Sequence, residues 1–471
     1  MPSMTVKSAA LGDFNRSIGL VYVLATAALF LVGLGYLLYN GKYFHLAVIF
    51  ALPLLLVFVT QPKYALMQYI FMLFISRSAF GTGPLLVTDL SGFIVIFSAL
   101  LDFMLSKDQF YDLPKLSFNF LSLLSVTFLT GIFSLNPVAA VRPFGRIVLL
   151  FAIFLALYRL SKKVSPAYCI NLYFIFAVLN SVLVMIPFVL SKGALRSFGL
   201  APVIFDELAL LALVIGVAKF IWSEKGQQLF YLGGSLLVFL ALLSTQSRAP
   251  ILFGLIMTVT IIVLSASRVR QLLKDKYLAA TEIPFLKTVM RRPKRVIISA
   301  IISLLVTIMV FPGLFTPLIE RFDELWTYFP SKSFLLRTVL WKTAFNTFLL
   351  HPILGVGPGL FPNLDFYYQE VRLNFLHSYV RGLSAHNMLL HYMAEMGIVG
   401  AAALLALMVN LTRWGRRLWM KAAAVGEQRL GIIMYALAIT FLLTTIFEAG
   451  WLWGQTGLIF TFFAAVIVRS A

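Results

Sequence analysis

The chain has 471 residues, of which 61% are apolar and 12% charged, with a mean hydropathy of +0.94 and a formal charge of +20 at pH 7. Soluble domains run closer to about 45–50% apolar and 25% charged. The composition therefore excludes a soluble enzyme, and spanning helices of roughly 20 residues each would use most of the chain, leaving no separate soluble catalytic domain.

Taken in chain order, apolar runs predict spans near 17–39, 43–60, 64–80, 86–106, 116–135, 143–158, 169–190, 203–222, 229–244, 249–266, 296–311, 386–411, 430–447 and 451–468. The expected fold is an all-α polytopic membrane protein with about 14 (12–14) transmembrane helices and one long, partly helical periplasmic loop. Placing the N-terminus in the cytoplasm puts 25 of the 38 Lys and Arg on that side and 13 outside, the bias that orients membrane proteins. The basic stretch 267–295 and the stretch 413–429 anchor the assignment, and both termini are expected in the cytoplasm. Three segments follow. Residues 1–311 carry helices 1–11, residues 312–385 form the periplasmic loop with part of the active site, and residues 386–471 hold the C-terminal helices. The charge excess is read as contact with membrane lipids, with no nucleic acid partner. The single cysteine, Cys169, excludes an intrachain disulfide and a cysteine-based metal site.

Basic residues are disfavoured on the outer side, so those that remain there are informative. They are Arg142 and Arg146, four apart on one helix face, then Lys192 and Arg196, and Arg248 in Ser-Thr-Gln-Ser-Arg-Ala-Pro. A guanidinium fork binds phosphate oxygens in bidentate fashion, which suits a phosphorylated lipid, although such arginines also snorkel to headgroups. Within the loop, the segment from Ser333 reads as an amphipathic helix with Ser333 as its N-cap. Thr338, Lys342 and Asn346 form its polar face, while Arg337 joins Leu340, Trp341, Ala344 and Phe348 on the apolar face, where a charge needs a partner. That partner is either a bound pyrophosphate or a carboxylate of Asp323 or Glu324. His351-Pro-Ile-Leu-Gly-Val-Gly-Pro-Gly359 follows; no strand precedes it and Pro358 lacks an amide, so it reads as a tight turn and not a phosphate-binding loop. The loop ends at Ala-His386-Asn387, the outer mouth of a span, where a histidine titrating near neutrality can take a proton from a hydroxyl. His391 and Glu395, four apart, can pair, whereas Glu395 falls on nearly the opposite helix face from His386, so the three do not form one relay.

The succession Thr-Gln-Ser-Arg248, Arg337 with Trp341, the 351–359 turn, and Ala-His386-Asn387 with Glu395 and Gly397 resembles the O-antigen ligase and polysaccharide polymerase superfamily, directly over about residues 242–400. The resemblance implies a membrane glycosyltransferase of lipopolysaccharide or exopolysaccharide biosynthesis. Such an enzyme moves a glycan from undecaprenyl pyrophosphate to an acceptor glycan or the lipid A core, at the periplasmic face of the bacterial inner membrane. It implies Arg248 and Arg337 as pyrophosphate-binding groups and His386 as the catalytic histidine, with Arg142, Arg146, Arg196 and Asn387 as candidate substrate-binding residues. Ala249 stands where a glycine often follows the arginine; fourteen spans exceed the twelve expected of a ligase, and Glu448 at an outer turn looks like exopolysaccharide polymerases. These departures favour a polymerase over a ligase. No Asp-x-Asp motif occurs, so no metal and no cofactor are expected. The alternative class is a flippase for the same lipid-linked glycans, with the outer arginines lining a transport cavity.

Overall fold

The computed structural model describes residues 55–75, 87–106, 113–191, 204–223, 225–245, 247–274, 332–362, 382–422, 425–445 and 455–470. Among the described residues every regular element is a helix. These are α1 (Pro62–Met72), α2 (Val87–Leu105), α3 (Ser117–Ile132), α4 (Pro137–Leu160), α5 (Pro166–Leu190), α6 (Phe205–Trp222), α7 (Lys225–Ser244), α8 (Arg248–Lys274), α9 (Lys332–Leu350), α10 (Met388–Lys421), α11 (Val425–Thr444) and α12 (Gln455–Ser470). Seven are long and apolar enough to cross a membrane, and the helices at Ser117–Ile132 and Thr456–Ser470 are shorter and apolar. The chain is thus a multi-pass, all-helical membrane protein. The expected spans at 17–39 and 296–311, and most of 43–60, lie outside the described residues.

Local chemistry sets the helix starts. Asn136 caps α4 by accepting from the Ala139 amide, and Ser165 caps α5 by accepting from Tyr168, each with a proline at the first helical position whose fixed φ suits that site. Both helices therefore begin several residues before their apolar runs at 143 and 169. In consequence Arg142 and Arg146 both lie inside α4.

Two ion pairs hold α2 against α4. Arg146 Nη1 pairs with Asp89 Oδ1, and Arg159 Nε donates to Asp102 Oδ2 at 2.8 Å, with Lys163 on the other oxygen of the same carboxylate. Asp89 and Asp102 are matched at the same sequence offset, 57 residues, so the two helices run parallel. α6 is buried on all its faces against α5, α7, α8 and α11, and α12 is likewise enclosed. The outward faces of the surrounding helices carry Phe97, Met104, Val141, Leu179, Val259 and Val263, the apolar surface that lipid covers. α10 and α11 approach closely because glycines meet backbone: a Cβ on Gly415 would stand 2.8 Å from Tyr435 Cα, and one on Gly431 2.7 Å from Trp419 Cα.

Candidate active site

α10 is 34 residues long, about 51 Å at 1.5 Å per residue, well beyond the roughly 30 Å hydrocarbon core of a bilayer. It is broken at Gly397, whose φ of 64° and ψ of −160° are not helical. The part after the break, about 36 Å long, suffices for a crossing. The part before it, Met388 to Met396, carries the candidate site at its N-terminal end.

A helix break strands backbone groups, and the turn after α9 satisfies them. The Val356 amide donates to the Ala394 carbonyl at 3.0 Å and the Gly357 amide to the Glu395 carbonyl at 2.8 Å, while the Ile398 amide donates to the Pro352 carbonyl at 2.9 Å. The Val356 carbonyl in turn accepts from Leu135 at 3.2 Å, so the turn is wedged between the start of α4 and α10. Gly355 and Gly357 have φ of 68° and 118°; a Cβ on the first would overlap the Glu395 backbone and one on the second Ser134. The glycines of 351–359 therefore serve close backbone approach within the protein, in keeping with a structural turn.

Side chains extend the same junction. Glu395, fully buried, accepts the Phe361 amide on Oε1 at 3.1 Å, and the same oxygen lies 3.4 Å from His391 Nε2. The pairing of His391 with Glu395 expected from their spacing is thus present. The His391 ring meets Phe361 edge-on at 5.3 Å. α9 packs on this end of α10 through Leu340 and Ala344, in a small core with Val356, Leu360, Phe361, Ala385 and Ala394. Thr338, Lys342 and Asn346 are exposed, as an amphipathic helix requires. Ser333 lies within α9, which already includes Lys332, so it is not the N-cap. Arg337 is half-buried on the packed side, and among the described residues no ion pair to it is found; Asp323 and Glu324 lie outside those residues.

His386 precedes α10 instead of standing on it. Its φ of 46° makes it the sole non-glycine residue in the left-handed region among those described. Its neighbours hold that conformation. Ala385 is fully buried, the Asn387 side chain accepts from the Leu390 amide at 2.9 Å as the α10 cap, and the Met388 amide donates to the Thr445 carbonyl of the α11 end at 2.9 Å. His386 Nδ1 is buried with no hydrogen-bond partner. Burial, then the Arg337 charge, then that of His391 hold the His386 imidazole below the usual histidine range. A neutral imidazole next to a guanidinium is a combination suited to accepting a proton where negative charge also develops.

The other expected site residues fall as follows. Arg248 opens α8, and its side chain lies outside the described residues, as does Arg196. Arg142 is exposed on α4. Arg146 is matched by the buried carboxylate of Asp89, so its charge is already balanced within the protein. Asn387 Oδ1 is committed to the helix cap. Among the described residues no group of three His, Cys, Asp or Glu could hold a metal ion. Sequence reasoning passed over Asp89 and the break at Gly397. The signal for Asp89 was a lone acid opening an apolar run, and for Gly397 a glycine inside a helical pattern two residues after a lone Glu in an apolar stretch.

The comparison with known families falls on this site. Residues 233–405 match the O-antigen ligase family. The matched stretch contains Arg248, Arg337, the 351–359 turn, His386, His391, Glu395 and Gly397, and it supports the O-antigen ligase and polymerase superfamily read from the motifs. An O-antigen ligase-type membrane glycosyltransferase acting on a lipid-linked glycan and an acceptor is the activity class this match supports. No curated relative matches the chain.

Proposed function

We propose that the chain transfers a glycan from undecaprenyl pyrophosphate to an acceptor hydroxyl at the periplasmic face of the inner membrane, extending a polysaccharide as a polymerase in preference to capping lipid A core as a ligase. The observation that carries the reading is His386. It is fixed off the end of α10 in a left-handed conformation, kept in its proton-accepting form by burial and by Arg337, and lies inside the stretch that matches the O-antigen ligase family.

In this reading His386 removes the acceptor hydroxyl proton as that oxygen attacks the anomeric carbon, and the bond from that carbon to the pyrophosphate oxygen breaks. Arg337 and Arg248 stabilise the charge that builds on the departing pyrophosphate, as preorganised cations that need no reorientation. Arg142, Arg196 and the amide nitrogen of Asn387 contribute to substrate binding, whereas Arg146 with Asp89 belongs to the scaffold. The step uses no metal and no cofactor. The topology that goes with it has both termini in the cytoplasm and residues 312–385 outside.

The test is transfer in proteoliposomes supplied with a lipid-pyrophosphate glycan and a glycan acceptor. Formation of the new glycosidic bond, lost in His386→Ala, supports the reading. Movement of the donor across the bilayer without bond formation overturns it in favour of a flippase.

A further inference from the structure

The exposed face of α9 changes character along its length. Thr338 and Lys342 open it, Phe345 and Asn346 share the next turn, and Leu349 and Leu350 close it, with Ile353 following just past the helix end. Phe345, Leu349 and Leu350 are 46%, 58% and 53% exposed. Single exposed apolar side chains are ordinary, but four large ones within nine residues make a patch that calls for a partner. The opposite side of α9 is already committed to the core through Leu340 and Ala344, so no rotation of the helix hides the patch without exposing that core.

The patch joins surface that lipid covers. The Pro352 carbonyl accepts from the Ile398 amide at 2.9 Å, which ties the end of α9 to the start of the crossing part of α10, and Ile398 is itself exposed. On the other flank the Val356 carbonyl accepts from the Leu135 amide, and exposed Leu135 and Val138 lead on to Val141 of the lipid-covered face of α4. We propose that the C-terminal end of α9 is immersed in the leaflet bordering the site, with Phe345, Leu349 and Leu350 among lipid acyl chains, while Thr338 and Lys342 stand in headgroups and water. Lipid selects apolar character at such positions and not a particular shape. Arg337 precedes Leu349 by 12 residues, about 18 Å along the axis, so the depth of this end sets how far the guanidinium stands from the acyl chains. The inference requires the membrane fold and not the role of His386.

The test uses the full chain in liposomes, with a nitroxide label on a single cysteine in a Cys169→Ala background. Power saturation compares collisions with oxygen, which concentrates among acyl chains, and with a nickel chelate, which stays in water. Labels at Phe345→Cys and Leu349→Cys should favour oxygen over chelate several-fold more than labels at Thr338→Cys and Lys342→Cys, at a depth of about 5–10 Å. A preference for chelate at all four positions would place the whole face in water and overturn the proposal. Exclusion of both reagents at Phe345→Cys and Leu349→Cys would mean that protein, such as a second copy of the chain, covers the patch, and overturns it equally. If Leu349→Cys does not fold, Leu350→Cys decides by the same criterion. The pattern is read without substrate, so its failure and a failure of the transfer reading are distinguishable.

Discussion

Gly357 donates its amide to the carbonyl of Glu395 at 2.8 Å, a bond between a buried turn and a helix that exists because α10 stops being helical two residues later. The turn and the first stretch of α10 are therefore one structural unit, and His386 sits at the end of it. The stability of this unit and the chemistry at its end can be tested separately.

Gly355→Ala should destabilise the protein more than Gly382→Ala. Both positions have positive φ, which alone costs an L-residue about 1–2 kcal/mol. A Cβ at Gly355 also overlaps the Glu395 backbone, whereas Gly382 has open space around it. Thermal unfolding of the detergent-solubilised variants measures the difference, and equal losses would contradict the wedge.

His386→Ala should lower transfer by about 10²- to 10⁴-fold while donor binding survives, as expected when a positioned base is removed. The base form is the active one and is favoured by burial and by neighbouring positive charge. Activity of the intact protein should thus persist to lower pH than an ordinary histidine would allow, falling only as pH drops through the depressed value. A pH series of kcat/KM checks the sign.

Arg337 makes two distinguishable contributions. Arg337→Lys keeps the positive charge and should leave the acid limb of that series in place, yet transfer should fall because an ammonium does not form the bidentate fork. Arg337→Gln should lose transfer and also move the limb to higher pH. Near-normal turnover in the lysine variant would make Arg337 a structural residue.

Arg146→Ala should cost about 3–5 kcal/mol of stability by stranding the buried Asp89 carboxylate, and pairing it with Asp89→Asn should recover much of the loss. Arg142→Ala, on the exposed side of the same helix, should leave the unfolding free energy within about 0.5 kcal/mol of wild type and act, if at all, on the KM for the donor. Denaturation curves of the variants decide between scaffold and substrate roles.

A cysteine at Lys342, on the exposed face of α9, placed in a Cys169→Ala background, should react with an impermeant maleimide from the periplasmic side of intact cells after outer-membrane permeabilisation. Labelling only from the cytoplasmic side would overturn the proposed orientation and with it the assignment of the site.

Hydropathy carried most of the helices because lipid imposes a length and a composition that a single strand of text displays. It placed the run at 203–222 within a few residues of α6 and the run at 451–468 close to α12. It placed the starts of α4 and α5 late, since Asn136 and Ser165 cap helices that open on a proline, a residue that reads as a break in an apolar run but suits the first helical position. The pair His391 and Glu395 was legible because both partners stand on one helix at contact spacing. Asp89 with Arg146 was not, because the pairing depends on how α2 and α4 lie side by side. The left-handed backbone of His386 was equally hidden: it is imposed by the Asn387 cap and by the Thr445 carbonyl, the latter 57 positions along the chain from the Met388 it holds.

The break at Gly397 also fixes what evolution can change nearby. Pro352, Val356 and Gly357 each clasp a backbone group of α10 beside the break, at Ile398, Ala394 and Glu395 respectively, in the manner of a buckle. Side chains that point away, such as Ile353 at 64% exposure, are free to vary. The number of residues between Pro352 and Val356 is not, since an insertion there would pull one clasp away from its partner while the other held. Homologous chains should therefore keep the length of this nine-residue turn together with Gly355 and Gly357, and differ at its outward side chains.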